Sequence, residues 1–255
     1  MLIVGACSKE KFSTVEIYGH GGNGIEIQNS IYHDNSKESI ELALSKEGVA
    51  GVEIDVRLSV DGELWLYHDD DLSSETDGSG CVEEISSNQL KDIKYSTSHK
   101  EKLVKLADLD FGNYGSKTFL IDARHYKGCD FSPIDYSQFV EALTALRIAH
   151  PNIHFIVLSR ITNWIEEFRA NGFEVYYEIF SLSDYDEIIG QDYEIEGVIV
   201  KSSLITKEEV HKIQNDSRKV IIFEMRSPKT IRKAMKKKPD GILSDDLNAA
   251  IIEKY

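Results

Sequence analysis

The chain is poor in several residues that mark special architectures. Four prolines and 17 glycines in 255 residues leave no room for a long disordered linker. Cysteines number three, Cys7, Cys81 and Cys129, an odd count at wide spacing. They form no zinc-ligand pattern and no disulfide framework, so free thiols in a reducing, cytoplasmic setting are expected. No apolar run approaches the ~18 residues needed to span a bilayer. Positive charge is also scarce: 29 Lys and Arg stand against 44 Asp and Glu, for a net charge of −15. An acidic surface argues against nucleic acid or an anionic membrane as a non-specific partner, although it leaves room for a local cationic pocket. Val4-Gly5-Ala6-Cys7 faintly resembles a lipoprotein cleavage box, which makes anchoring through Cys7 the alternative location. A basic n-region is lacking and the apolar stretch is short, so a first strand is the preferred reading there.

Hydrophobic residues, in contrast, make up 41% of the chain, enough for a substantial core in one domain over 1–255. Strand-like runs fall at Val15–Tyr18, Gly51–Arg57, Thr118–Ala123, His154–Leu158, Glu174–Ile179, Gly197–Lys201, Val220–Met225 and Gly241–Leu243. Helix-like runs fall between them, around 36–47, 134–149, 162–171, 183–190, 206–215, 228–237 and 247–253. Start signals stand at Thr162-Asn163, at Thr206 with Glu209, and at Ser227-Pro228. This alternation predicts a (β/α)₈ TIM barrel, with a doubly wound sheet as the alternative. No G-x-G-x-x-G follows the first strand, which weakens a dinucleotide-binding version. Residues 63–110 break the rhythm and read as an insertion after the second strand, on the face where barrels carry function.

Chemistry concentrates at that face. In Gly51-Val-Glu53-Ile-Asp55-Val-Arg57, Glu53 and Asp55 are two apart on a strand and point the same way. Paired carboxylates in a core-like run invite a hard cation with oxygen ligands, Mg²⁺ or Ca²⁺. Asp122, near the end of the third strand, would complete a three-carboxylate site. His20 ends the first strand and His68 follows the short run Leu64–Tyr67, so a general acid and base would stand beside the metal. His33, His99, His125, His150, His154 and His211 show no clear partners, and Trp65 and Trp164 read as core or pocket wall.

At these residues the chain resembles the glycerophosphodiester phosphodiesterase family. The resemblance rests on Gly19-His20-Gly21, Val52-Glu53-Ile54-Asp55-Val56, Val60-Asp61-Gly62, Tyr67-His68-Asp69 and the late stretch Pro239–Asp246. It implies a barrel that uses one divalent cation to cleave a small glycerophosphodiester or a related polyol phosphodiester. His20 and His68 would be the catalytic pair, and Glu53, Asp55 and Asp122 the metal ligands. Two departures stand out. Gly21 occupies the position where the family usually carries a phosphate-binding Arg, and Phe223-Glu224 replaces a usual Trp-Thr. Arg124, in place of a usual Lys, is expected to take over the phosphate, with Lys201 beside it and Arg57 and Arg226 as weaker candidates. Sphingomyelinase D enzymes of the spider-toxin type and related phospholipases D share the barrel and its His/Glu/Asp/His arrangement. They too lack the Arg and use Asp as third ligand. The cysteine pattern, the want of a secretion signal and the want of an apolar docking loop argue against them. A catalytically weak phosphodiester-binding protein is the remaining alternative. Oligomeric state is not legible.

Overall fold

A computed structural model describes residues 11–25 and 31–255. The stretch around Cys7 lies outside the described residues. Eight parallel strands close into a barrel. They are β1 (Glu16–Gly19), β2 (Gly51–Leu58), β5 (Thr118–Ala123), β6 (His154–Ser159), β7 (Glu174–Ile179), β8 (Gly197–Lys201), β9 (Lys219–Phe223) and β10 (Gly241–Ser244). Closure is explicit in the register: β1 pairs β10 from Glu16↔Gly241 to Gly19↔Ser244 and pairs β2 at Tyr18↔Gly51.

The strands read as continuous apolar runs because both faces are covered. One face fills the barrel, where Tyr18, Leu120, Ile156, Leu158, Tyr176, Ile199, Ile221 and Leu243 pack together. The other meets the helices α1 (Lys37–Leu44), α3 (Tyr136–Ala149), α4 (Thr162–Ala170), α5 (Leu182–Gly190), α6 (Lys207–Asn215), α7 (Pro228–Met235) and α8 (Leu247–Lys254). Helix starts follow local chemistry. The Thr206 hydroxyl accepts from the Glu209 amide while Glu209 reaches back to the Thr206 amide, and Ser227 caps α7 ahead of Pro228. The start expected at Thr162-Asn163 differs, since Ile161 holds the cap position without a side-chain cap.

The insertion runs between β2 and β5. β2 outgrows the barrel: its parallel pairing with β5 ends at Val56↔Ala123, and Val56–Leu58 turn to pair antiparallel with β3 (Leu64–Leu66). β3 pairs in turn with β4 (Val104–Lys105). Short 3₁₀ turns and α2 (Ser87–Leu90) complete the segment around its own apolar cluster, which includes Trp65, Tyr67, Val82 and Tyr95.

The free-thiol expectation is overturned. Cys81 in the insertion and Cys129 in the loop after β5 form a disulfide, with Cα atoms 5.5 Å apart. Their 48-residue separation carries no recognisable motif, so only the fold brings them together.

Candidate active site

The C-terminal ends of the strands surround a pocket of about 320 Å³. His20, Glu53, Asp55, His68, Asp122, Arg124 and Lys201 all line it. The seven residues singled out from the sequence are therefore brought to one mouth.

Asp55 and Asp122 are direct neighbours in the β2–β5 register, and Glu53 lies one inward position below Asp55. One oxygen from each of the three carboxylates lies within 4.8 Å of the others. Burial, reinforced by the charge of Asp55, pushes the Glu53 carboxyl up to about 8. Asp55 is also buried, which alone would raise it, but Arg124, His68 and a bond from Asn35 hold it down at about 2. A convergent all-oxygen donor set, too crowded for all three carboxyls to ionise easily without a counter-charge, fits a hard divalent cation.

Each histidine is held by a carboxylate. His20 Nδ1 lies 2.6 Å from Asp245 Oδ1, and its Nε2 is 3.9 Å from Glu53 Oε2. Burial would lower the His20 pKa, but the Asp245 bond and the charge of Glu53 outweigh it and raise it to about 9. His68 Nδ1 lies 2.7 Å from Asp69 Oδ1, and Asp69 accepts a 2.7 Å bond from the Ser74 hydroxyl. In both rings Nδ1 is engaged, which leaves Nε2 for proton transfer.

The cations divide differently from expectation. Arg124 donates to Asp55 and lies 3.5 Å from Asp122, so it is an internal counterion to the carboxylates. Lys201 ends β8 and bonds Glu224 at 3.2 Å. Arg226 approaches Asp245 at 3.8 Å. Arg57 is fully buried among groups of the insertion and does not line the pocket, which removes it as a phosphate ligand.

Gly21 has a physical reason. Its φ is +56°, and a Cβ there would stand 2.6 Å from the Asp34 Cβ. Its amide donates to Glu53 Oε2 at 2.9 Å. The backbone thus binds the carboxylate in a conformation that any larger residue would strain.

Sequence reasoning gave no role to four contributors. Asn35, buried with φ +57°, donates to Asp55 Oδ2 at 2.8 Å and accepts from the Asp55 amide at 2.9 Å. Asp245 was legible only as part of the terminal Ser-Asp-Asp loop. Arg160 and Glu178, joined at 2.5 Å, form the part of the wall at the ends of β6 and β7.

A second groove, of about 380 Å³, adjoins the pocket. Tyr126, Phe131, Pro133, Tyr136, Ile161 and Trp164 line it, and Phe131 is 66% exposed. Consecutive residues line the two cavities, Arg124 and His125 at one point and Arg160 and Ile161 at another. This is the apolar surface that the sequence pattern concealed.

Comparison with known proteins agrees with this geometry. Residues 19–110 match the model of the glycerophosphoryl diester phosphodiesterase family. A Mycobacterium tuberculosis protein named "Probable glycerophosphodiester phosphodiesterase 1" is 39% identical over 66 residues, 26% of this chain. The matched segment spans about a quarter (24%) of that relative's length. Among solved structures, an Oleispira antarctica phosphodiesterase in complex with the product sn-glycerol-3-phosphate superposes with a TM-score of 0.79. It is 19% identical, and the match covers 93% of this chain and 96% of that one. A glycerophosphodiester phosphodiesterase from Agrobacterium tumefaciens gives a TM-score of 0.72 at 16% identity, covering 94% and 99%. At these identities the structural likeness bears on the fold.

Proposed function

We propose that this chain, whose residues 19–110 match the glycerophosphoryl diester phosphodiesterase family, hydrolyses a small glycerophosphodiester or related polyol or saccharide phosphodiester. The observation that carries the reading is the pair of carboxylate-held histidines flanking three convergent carboxylates in one pocket. A pure binding protein has no need of that pair, which weighs against the weak-binder alternative.

The chemistry follows from the groups present. One histidine Nε2 takes the proton from the attacking hydroxyl, either water or the substrate's neighbouring alcohol. As the new P–O bond forms, the bond to the leaving alcohol breaks, and the other histidine protonates the departing oxygen. Asp245 and Asp69 hold the two rings in orientation. Held by Glu53, Asp55 and Asp122, a Mg²⁺ or Ca²⁺ ion would supply charge neutralisation at a non-bridging phosphate oxygen. Arg124 and Lys201, which also line the pocket, are the cations on hand for the phosphate.

The apolar groove favours a second reading, an amphiphilic phosphodiester of the kind that sphingomyelinase D-like enzymes take. Among the described residues no helix is long and apolar enough to cross a membrane. The Cys81–Cys129 bond supports an oxidising compartment rather than the cytoplasm.

The test is turnover of glycerophosphocholine, lysophosphatidylcholine and bis(p-nitrophenyl) phosphate with Mg²⁺, Ca²⁺ or chelator. His20→Ala and His68→Ala should each lower kcat by about 10²–10⁴-fold. Chelator should abolish turnover. Activity on lysophosphatidylcholine far above that on glycerophosphocholine would favour the second reading. Cation binding without turnover of any diester would leave only a binding role.

A further inference from the structure

His68 presents a physical problem. Its side chain is 53% exposed, so packing does little to fix it. Its position must come largely from its backbone, and that backbone is tied at two points. The Tyr67 amide donates to the Asp55 carbonyl at 3.1 Å. The His68 carbonyl accepts from Arg57 Nη2 at 3.0 Å.

Arg57 is the unusual member. It is fully buried, so the charge at its two Nη atoms depends on protein partners. Nη2 also bonds Asp70 Oδ1 at 2.9 Å, and Nη1 bonds buried Glu83 Oε1 at 2.8 Å. The other Glu83 oxygen accepts from the Gly128 amide at 3.1 Å. Gly128 is pressed against the same loop from the far side: a Cβ there would lie 2.0 Å from the Asp70 carbonyl oxygen. The disulfide joins the two flanks, since Cys81 stands two residues before Glu83 and Cys129 one after Gly128.

We propose that Arg57, clamped by Glu83 and the Cys81–Cys129 disulfide, is a positioning residue that sets the placement of His68. The inference rests on the catalytic reading of His68. The fork geometry matters, because two nitrogens of one rigid plane serve three acceptors at once, which a lysine cannot do. The clamp also ties activity to oxidation state: opening the disulfide frees Gly128 from Glu83, and Glu83 from its fixed place beside Arg57.

The test uses the oxidised full chain and the variants Arg57→Lys and Cys81→Ser/Cys129→Ser, each assayed well below its own melting temperature. The expected result is a kcat lowered by about 10-fold, in the range of lost outer-sphere partners, with KM within about 2-fold. The cation-induced thermal shift should be unchanged. A dithiol reductant should reproduce the loss in the wild type and have no further effect on the double serine variant. Because Arg57 acts through His68, Arg57→Lys should cost nothing further in a His68→Ala background. Amide hydrogen exchange at Tyr67, Leu72 and Gly128, whose amides are bonded around the clamp, should rise about 10-fold in Arg57→Lys while the barrel strands keep wild-type protection. Unchanged kcat in both variants, or an additive loss in the His68→Ala background, overturns the proposal. If the wild type turns over no diester, the catalytic reading fails, whereas exchange at Tyr67, Leu72 and Gly128 still decides the clamp: no increase refutes it.

Discussion

Replacing Asn35 with alanine tests the architecture of the site more sharply than replacing a carboxylate. Asn35 is 1% exposed and makes two bonds to Asp55, one to the side chain and one from the backbone amide, besides a longer one of 3.4 Å to Asp34 Oδ2. Its φ of +57° is a conformation that asparagine tolerates and alanine resists. Three costs therefore add. Leaving the buried Asp55 amide unsatisfied costs about 1–3 kcal/mol. The lost bond to Asp55 Oδ2, to a charged acceptor, costs about 1–2 kcal/mol. The left-handed backbone costs alanine about 1 kcal/mol more. Together these come to about 4 kcal/mol, or a Tm lower by about 8 °C at roughly 2 °C per kcal/mol for a chain of this size. Freed from one of its constraints, Asp55 should also bind cation about 10–100-fold more weakly. Differential scanning calorimetry with and without Mg²⁺ reads both effects. A Tm within 2 °C of wild type and an unchanged cation titration would show that Asn35 does not orient Asp55.

Further expectations follow from the same geometry. Mg²⁺ or Ca²⁺ at ~100 times its Kd should stabilise the protein by about 2.7 kcal/mol, or roughly 5 °C in Tm. Glu53→Gln, Asp55→Asn and Asp122→Asn should each shrink that shift in a thermal melt. Asp245→Asn should leave the fold intact and lower kcat by about 10–100-fold, because His20 loses the partner that holds its ring; full activity in a steady-state assay would contradict that role. His33 gives a pH signature away from the carboxylate cluster. Burial would lower its pKa, but bonding to Asp34 and the charge of Glu75 raise it to about 9. A folded-state pKa above the unfolded ~6.5 means that the stabilisation is complete below pH 6.5 and is lost as pH rises through 9. His33→Gln should flatten that part of the stability curve by about 1 kcal/mol, which denaturant titrations at pH 6 and pH 9.5 would detect.

The barrel was legible because its signals are local. Apolar runs such as Val198–Val200 and the capped amphipathic helices each announce themselves within a few residues. Glu53, Asp55 and Asp122 were legible because charge inside such a run has few explanations. What escaped depends on contacts between distant segments. Asp245 meets His20 across 225 residues of chain, through barrel closure alone. Arg57 shares the inward parity of Glu53 and Asp55, which suggested the pocket. By then, however, β2 has left the barrel for its hairpin with β3, and the side chain enters the insertion. The disulfide was hidden for the same reason, as was the groove, whose Phe131 lies in the loop after β5 and whose Trp164 lies on α4. The strand expected to reach Met225 stops at Phe223, because Glu224 turns into the left-handed region at φ +66°.

Barrel closure also fixes when the molecule can become competent. His20 stands at the end of β1, and its partner Asp245 follows β10, the strand that seals the ring. A chain still being synthesised can hold the carboxylates of β2 and β5 side by side and His68 beside them, yet the His20 half of its acid/base pair is not in final position until β10 and Asp245 are available. An incomplete or clipped product lacking β10 should therefore bind cation and do no chemistry, and turnover itself reports that the ring has closed.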